Sequence, residues 1–274
     1  MKILYFCPLW GCEDMDFDHY CQTVAETGYD GVEMSLPLDD RPAMERRMRS
    51  LKAHGLELLA QHWETVAPNL DDHVAEYRRR LEWLASAEPL LINSQTGRDW
   101  FGFEDNCRVI AEAKAVAQAT GIQILHETHR GKFSYAAAAA RRFLECDADL
   151  RITADFSHWC AVSESLLEDQ QDSIELAVSR ADHIHARVGH PEGPQVSDPR
   201  APEWAVALNA HLGWWDRIVE AHRKAGSERL TITPEFGPYP YMPQLPYTQQ
   251  PVASQWEINL HMMSLLRSRY KAEA

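Results

Sequence analysis

Short apolar runs that end in polar residues alternate along the chain with longer amphipathic segments. Eight such runs predict strands, at residues 2–7, 31–33, 56–62, 90–94, 122–127, 150–155, 183–185 and 230–235. Their last residues lie 26 to 33 positions apart, except for a final interval of 50. This spacing fits one strand, one helix and two loops, which is the period of a repeated βα unit.

The segments between the runs carry helical periodicity and helix stop signals. Residues 42–53 place apolar side chains on one face and end just before Gly55, and Asp105 is a candidate N-cap for a helix that stops at Gly121. Alternating strands and helices require parallel strands. Eight repeats favour a closed (β/α)₈ TIM barrel, one α/β domain over residues 1–274, although an open doubly wound sheet remains the alternative.

The balance of charge narrows the partners. The chain has 41 acidic and 27 basic residues and a net charge of -14. Because this charge repels nucleic acid and anionic membrane surfaces, we expect neither as a partner and favour a small-molecule, sugar-like substrate. The six cysteines form no C-x-x-C pair, and no apolar run suits a signal peptide or a membrane span. We therefore expect a cytoplasmic protein.

Two long proline-rich segments, residues 190–204 and 237–251, interrupt the repeat. Each follows the C-terminal end of a strand, where barrel enzymes assemble their active sites. They are candidate walls or lids of a site. Equally, they are candidate subunit contacts in a homo-oligomer.

Polar side chains end six of the predicted strands: Glu33, His62, Glu127, Asp155, His185 and Glu235. In a barrel these positions lie on one ring, so residues far apart in sequence converge. The last four follow strands five to eight. Two Glu, one Asp and one His suit a hard or borderline divalent cation such as Mn²⁺, Mg²⁺, Co²⁺ or Zn²⁺. The alternative for each carboxylate is a helix cap or an ion pair with arginine.

Other polar and aromatic residues near the strand ends are candidates for substrate contact. The polar ones are His62, His129, His158 and Arg187. Five tryptophans lie in similar positions and suit stacking on a sugar ring: Trp10, Trp63, Trp100, Trp159 and Trp204. Structural histidines, surface ion pairs and loop packing are the alternatives.

Four motifs carry a family resemblance: HETHRG at 126–131, ADFSHW at 154–159, HIHAR at 183–187 and TPEFG at 233–237. With them the chain resembles, over nearly its whole length, the xylose-isomerase-like TIM barrels of the sugar phosphate isomerase/epimerase superfamily. The resemblance implies that Glu127, Asp155, His185 and Glu235 bind one divalent metal, with Mn²⁺ favoured. It also implies that Glu127 and Glu235 act as the acid/base pair and that His158 steers a substrate oxygen.

The resemblance further implies an isomerase or epimerase that removes a proton next to a carbonyl and forms an enediolate. Ketose 3-epimerases of this group place a substrate-binding Arg six residues after the ligand His, where this chain has Pro191. Arg187 is a candidate substitute. The superfamily also contains dehydratases and lyases that act on inososes, dehydroshikimate or 3-keto-glycosides, so a lyase is the first alternative.

Two rival interpretations belong to other classes. The apurinic endonuclease branch of this fold shares the Glu, D-x-x-H and Glu pattern but needs three zinc ions. Here the fourth strand ends without a His, Asp198-Pro199-Arg200 replaces the D-x-H of that branch, and the net charge is -14. A non-catalytic sugar-binding or scaffold barrel is the other alternative, and metal content distinguishes it from an enzyme.

Overall fold

Eight parallel strands close into a barrel in the computed structural model, which describes residues 1–271. They are β1 Lys2–Pro8, β2 Gly31–Met34, β3 Glu57–His62, β4 Leu91–Ser94, β5 Ile124–Glu127, β6 Ile152–Ala154, β7 Ala181–His185 and β8 Arg229–Thr233. Each strand pairs with the next in sequence. Strand β8 pairs with β1, with Lys2 opposite Arg229. The predicted (β/α)₈ TIM barrel is therefore confirmed, and the open sheet is excluded.

Within residues 1–271, nine α-helices cover the outside of the barrel. They are α1 Phe17–Glu26, α2 Arg41–Ala53, α3 Leu70–Ala85, α4 Phe103–Thr120, α5 Ala137–Cys146, α6 Phe156–Ser163, α7 Gln171–Arg180, α8 Ala205–Lys224 and α9 Gln255–Arg269. None of these helices is both long and apolar enough to cross a membrane.

Helix α4 shows where local signals succeed and fail. Gly121 ends it in the left-handed conformation with φ 74°, as its sequence position predicts. The expected N-cap at Asp105 is wrong, because Gly102 occupies the cap position and makes no side-chain hydrogen bond. Asp105 lies in the first turn instead, where a carboxylate is still favourable beside the positive end of the helix dipole.

The barrel interior has an apolar layer below a polar one. The apolar layer is a separate cluster of Leu4, Phe6, Leu59, Leu91 and Leu125. Side chains along a strand alternate between its two faces, so the residue two positions further on points inward again. In β3, β4 and β5 those residues are Gln61, Asn93 and Glu127. The strand pattern therefore places polar groups at the C-terminal mouth of the barrel.

Candidate metal centre and its cavity

The four predicted metal ligands meet at the mouth of the barrel. Glu127 ends β5 and His185 ends β7, while Asp155 follows β6 directly and Glu235 lies two residues after β8. Each offers a ligand atom, and these atoms all lie within 4.8 Å of one another. All four side chains are buried. We call these four residues the quartet.

Unpartnered atoms in the quartet fit a bound cation. Glu127 Oε1 and His185 Nδ1 are buried and have no hydrogen-bond partner among the described residues. His185 Nδ1 lies 2.9 Å from Glu235 Oε2, but outside hydrogen-bonding geometry. A buried polar group without a partner costs about 1–3 kcal/mol, and a cation ligated by these atoms would remove that cost. Three carboxylates and one imidazole are donors suited to a divalent ion.

Glu33, at the end of β2, orients the imidazole of His185. Its Oε1 lies 2.9 Å from His185 Nε2 and accepts a hydrogen bond of 3.0 Å from Asn93 Nδ2. With the Nε2 proton donated to Glu33, Nδ1 turns its lone pair toward Glu127 and Glu235. This is the carboxylate–histidine arrangement that supports metal ligands in proteins. Sequence reasoning placed Glu33 at a strand end but gave it no role.

The charges around the quartet leave an excess of negative charge. Glu33, Glu127, Asp155 and Glu235 are buried together. Arg187 pairs with Asp155 and Glu235, whereas Glu33 and Glu127 lie beside His185. Burial acts to raise the pKa of Glu127, but the opposing effect of His185 leaves it below its ordinary value, at about 2. Burial lowers the pKa of His185, but Glu235, Glu33 and Glu127 hold it well above its usual range. A divalent cation would displace that proton and neutralise the excess.

Arg187 is 2% exposed and binds Asp155 directly. Its Nη1 lies 3.4 Å from Glu235 Oε2. Asp155 also caps α6, because its Oδ1 accepts hydrogen bonds from the Ser157 amide and hydroxyl. The helix-cap alternative thus holds for Asp155, yet its carboxylate still faces the quartet. Burial raises the pKa of Asp155 to about 6, although Arg187 opposes the shift.

The hydrogen bond from Arg187 also fixes the tautomer of His158. The Arg187 Nη2 group donates to His158 Nε2 at 2.9 Å, so the neutral ring carries its proton on Nδ1. Burial, with His129 and Arg187 nearby, lowers the pKa of His158 well below its usual range. The Nδ1–H group is buried and has no partner in residues 1–271. The structure therefore places His158, with a free hydrogen-bond donor, beside Asp155 of the quartet but outside the lining of the cavity.

Two more of the predicted substrate-binding residues, His129 and His62, lie in different places relative to the quartet. The ring of His129 lies 3.9 Å from that of His158 and lines the cavity above the quartet, and burial lowers its pKa to about 4. His62 is fully buried, with ring nitrogens 3.1 Å from Ser94 Oγ and 2.8 Å from Thr65 Oγ1. His62 does not line the cavity, and both of its ring nitrogens are already hydrogen-bonded. The structure therefore does not support a substrate contact for His62.

A cavity of about 560 Å³ opens above the quartet. Glu127, Glu235 and Arg187 line it, whereas Asp155 and His185 lie behind them. Gln61 also lines it and donates a 3.1 Å hydrogen bond to Glu235 Oε1, a contact that sequence reasoning did not predict.

The five tryptophans separate into two groups. Trp10 and Trp63 line the cavity. Trp159 is buried and donates to Ser134 O, Trp204 bonds to Ser197, and Trp100 is 60% exposed outside the lining. The stacking interpretation therefore remains open for Trp10 and Trp63.

The two long loops contribute differently to the cavity. Residues 237–251 supply Tyr241, whose ring packs edge-on against Trp10 at 5.1 Å. Within the described chain, no residue of 190–204 lines the cavity. Instead, Gln195 exchanges two hydrogen bonds with the backbone of Gly237, at 3.1 and 2.8 Å. The first loop thus braces the second, which forms part of the wall.

No protein-family profile and no curated protein matches the sequence. Solved structures do match. The probable 3-DHS dehydratase AsbF of Bacillus anthracis aligns over 98% of this chain and 100% of its own, at 16% identity and TM-score 0.61. D-Allulose 3-epimerase from Methylomonas sp. aligns over 98% of both chains, at 14% identity and TM-score 0.60. A xylose isomerase domain protein from Alicyclobacillus acidocaldarius aligns over 97% of this chain and 98% of its own, at 15% identity and TM-score 0.59. The fold is that of the xylose-isomerase-like TIM barrels, as the sequence motifs led us to expect.

Proposed function

We propose that the protein is a metal-dependent isomerase or epimerase that acts on a small sugar-like carbonyl compound. The supporting observation is the quartet, whose ligand atoms lie within 4.8 Å of one another at the floor of a cavity of about 560 Å³. A cavity of this size suits a small molecule. We propose Mn²⁺ as the resident ion, with Mg²⁺, Co²⁺ and Zn²⁺ as alternatives of compatible ligand chemistry.

The two glutamates of the quartet are the proposed acid/base pair. Held by Glu127, Asp155, His185 and Glu235, a divalent cation would acidify the C–H bond next to a substrate carbonyl. Glu127 is a buried carboxylate that lines the cavity, so it is the proposed acceptor of that proton. Glu235 lines the same cavity and can return a proton at another position. Isomerisation and epimerisation both follow from this pair of transfers.

His158, His129 and Arg187 are the proposed substrate-binding residues. His158 is buried just outside the lining, and its Nδ1–H group is the donor proposed for a developing oxyanion, because Arg187 occupies its other nitrogen. His129 lines the cavity. Arg187 also lines it and positions Asp155 and His158 through direct hydrogen bonds.

A dehydratase or lyase is the alternative enzyme, because elimination starts with the same proton removal. One structural neighbour is described as a probable dehydratase and another as an epimerase. A non-catalytic sugar-binding barrel is the second alternative.

The net charge of -14 opposes nucleic acid and anionic membranes as partners of this protein. We propose a cytoplasmic enzyme, and its two long loops are the candidate contacts of a homo-oligomer.

The test is solvent proton exchange. Mn²⁺-loaded protein is incubated in D₂O with ketoses, inososes, dehydroshikimate and keto-glycosides, and deuterium uptake and product are followed by NMR. Uptake next to a carbonyl is expected, and the product distinguishes isomerase from lyase. Turnover should fall at least about a hundredfold in Glu127→Gln and Glu235→Gln, with metal content measured in each variant. No turnover of any compound by fully loaded protein would contradict the proposal and favour the binding barrel.

A further inference from the structure

The lining of the cavity differs between the two sides of the barrel. The quartet lies over β5 to β8, whereas the apolar lining comes largely from the ends of β1, β2 and β3 and the loops that follow them. Its members are Leu9, Trp10, Met34, Leu36, Pro37 and Trp63. Strands β1, β2 and β3 are neighbours in the barrel. We call these six residues the apolar wall, which lies across the cavity from Glu127. The polar residues Glu13, Ser35, Arg47 and Gln61 line the same side.

The volume of the cavity is larger than the volume that a free monosaccharide occupies. It is about 560 Å³. At about 30 Å³ for each water-sized group, that space holds roughly nineteen non-hydrogen atoms, about half again as many as a hexose contains. A monosaccharide seated on the quartet would leave the apolar wall facing water.

The charges in the lining do not suit a phosphate group. Its two arginines are Arg47 and Arg187. Arg187 is bound to Asp155, and Arg47 donates to the Ser35 carbonyl at 3.1 Å and lies 5.3 Å from the ring of Phe17. Glu13 lines the same cavity and opposes an anion. Phosphate recognition relies on converging cationic donors, which this lining does not assemble.

We propose that the substrate is an uncharged conjugate, in which a keto sugar on the quartet carries an aromatic group that packs against Trp63, Leu36 and Pro37. The position of the reacting sugar rests on the function proposed above. Trp63 is 53% exposed at the edge of the cavity, so a ligand that covers it removes a large apolar surface from water. Indole and proline rings offer flat apolar faces on which an aromatic ring packs well.

Matched pairs of phenyl and methyl glycosides of glucose, galactose and mannose test this inference. Their affinity for Mn²⁺-loaded and for metal-free protein is measured by titration calorimetry. At least one phenyl glycoside should bind about tenfold or more tightly than its methyl partner. Trp63→Ala should weaken phenyl glycoside binding more than methyl glycoside binding and so remove most of that preference. Trp100→Ala, which alters an exposed tryptophan outside the lining, is the matched control and should keep the preference.

Equal affinity within every pair, or no binding of any phenyl glycoside, would overturn the inference. Loss of the preference in both tryptophan variants would also overturn it, since the effect would not be local to the wall. Because these titrations need no turnover, they separate the two proposals. A phenyl preference without deuterium uptake by any sugar would contradict the proposed reaction but support the apolar wall as a binding surface.

Discussion

At the scale of single residues, the contact between Glu33 and His185 decides which nitrogen faces the quartet. Glu33 Oε1 is 2.9 Å from His185 Nε2. Glu33→Gln removes the charge that holds this proton and allows the amide to present a donor instead. We expect Mn²⁺ affinity, measured by calorimetry, to fall about 10- to 100-fold while the fold is retained. Glu57→Gln, at an exposed position of β3, is the control, and equal affinity in both variants would remove Glu33 from the metal centre.

Arg187 neutralises Asp155 when no metal is bound. Arg187→Met leaves that buried carboxylate without its partner, which costs about 3–5 kcal/mol of unfolding free energy. Mn²⁺ should restore much of this loss, because a cation then neutralises Asp155 instead. Urea unfolding with EDTA and with Mn²⁺ measures both effects. Arg200→Met, which breaks the more exposed pair with Asp198, should cost about 1 kcal/mol or less with or without the ion. An identical loss for Arg187→Met in EDTA and Mn²⁺ would show that the ion does not replace Arg187 as the partner of Asp155.

At the scale of elements, His211 joins α8 to the loop after β7. It accepts a 3.1 Å hydrogen bond from the Gly189 amide at Nε2, and its Nδ1 donates to Ala207 O at 2.9 Å. The ring is therefore neutral, and burial lowers its pKa from 6.5 to about 4. Above pH 6.5 the folded and unfolded states bind the same number of protons at this site. Between pH 6.5 and 4 the unfolded state binds more, so stability falls as pH falls.

His211→Gln should reduce this loss of stability at low pH. The contribution of a single group with this shift is roughly 3 kcal/mol at most between neutral pH and pH 4. Denaturant unfolding at pH 7, 5.5 and 4.5 measures it, with His19→Gln on the exposed surface of α1 as the control. An unchanged pH slope in His211→Gln would show that its burial does not set the protonation difference.

Gly237 allows the loop after β8 to lie against Trp10. A Cβ at this position would lie 2.1 Å from the Trp10 ring. Gly237→Ala should therefore displace the indole from the cavity wall, lower stability by about 1–3 kcal/mol and change tryptophan fluorescence. At Gly213, inside α8, an added Cβ meets nothing within 4 Å. Gly213→Ala should raise stability by about 0.5–1 kcal/mol, and a similar effect of both variants would refute the close packing of Trp10.

At the scale of the whole molecule, the barrel could be predicted because strand-like and helix-like segments repeat at a regular interval along the sequence. Strand ends 26 to 33 residues apart place Glu127, Asp155 and His185 on one ring without knowledge of any contact. Glu33 could be placed on that ring but not assigned a partner, since its bond to His185 joins residues 152 positions apart across the barrel. The effect of Glu33 on the metal centre depends on how the imidazole ring of His185 is rotated.

Other residues with the same sequence pattern have different environments. His62 ends β3 as Glu127 ends β5, but Ser94 and Thr65 bind its two nitrogens, and Tyr77 from α3 packs against its ring. Ser94 and Tyr77 come from neighbouring elements, whose orientation a single sequence does not encode locally, whereas Thr65 lies three residues further along the chain. The loop 190–204 was a candidate wall, or equally a subunit contact, because it follows the C-terminal end of a strand. In the structure it braces the loop that forms the wall.

The most direct test of the central claim is the position of the metal in a crystal grown with Mn²⁺, located by anomalous scattering at the manganese edge. We expect one peak within about 2.0–2.6 Å of oxygen or nitrogen atoms of Glu127, Asp155, His185 and Glu235, with Arg187 no longer bound to the ligating Asp155 oxygen. Glu33, His183 and His185 form another buried group whose possible ligand atoms lie within 4.8 Å of one another. A peak held by that group instead of the quartet, or no peak at saturating Mn²⁺, would contradict the proposed metal centre.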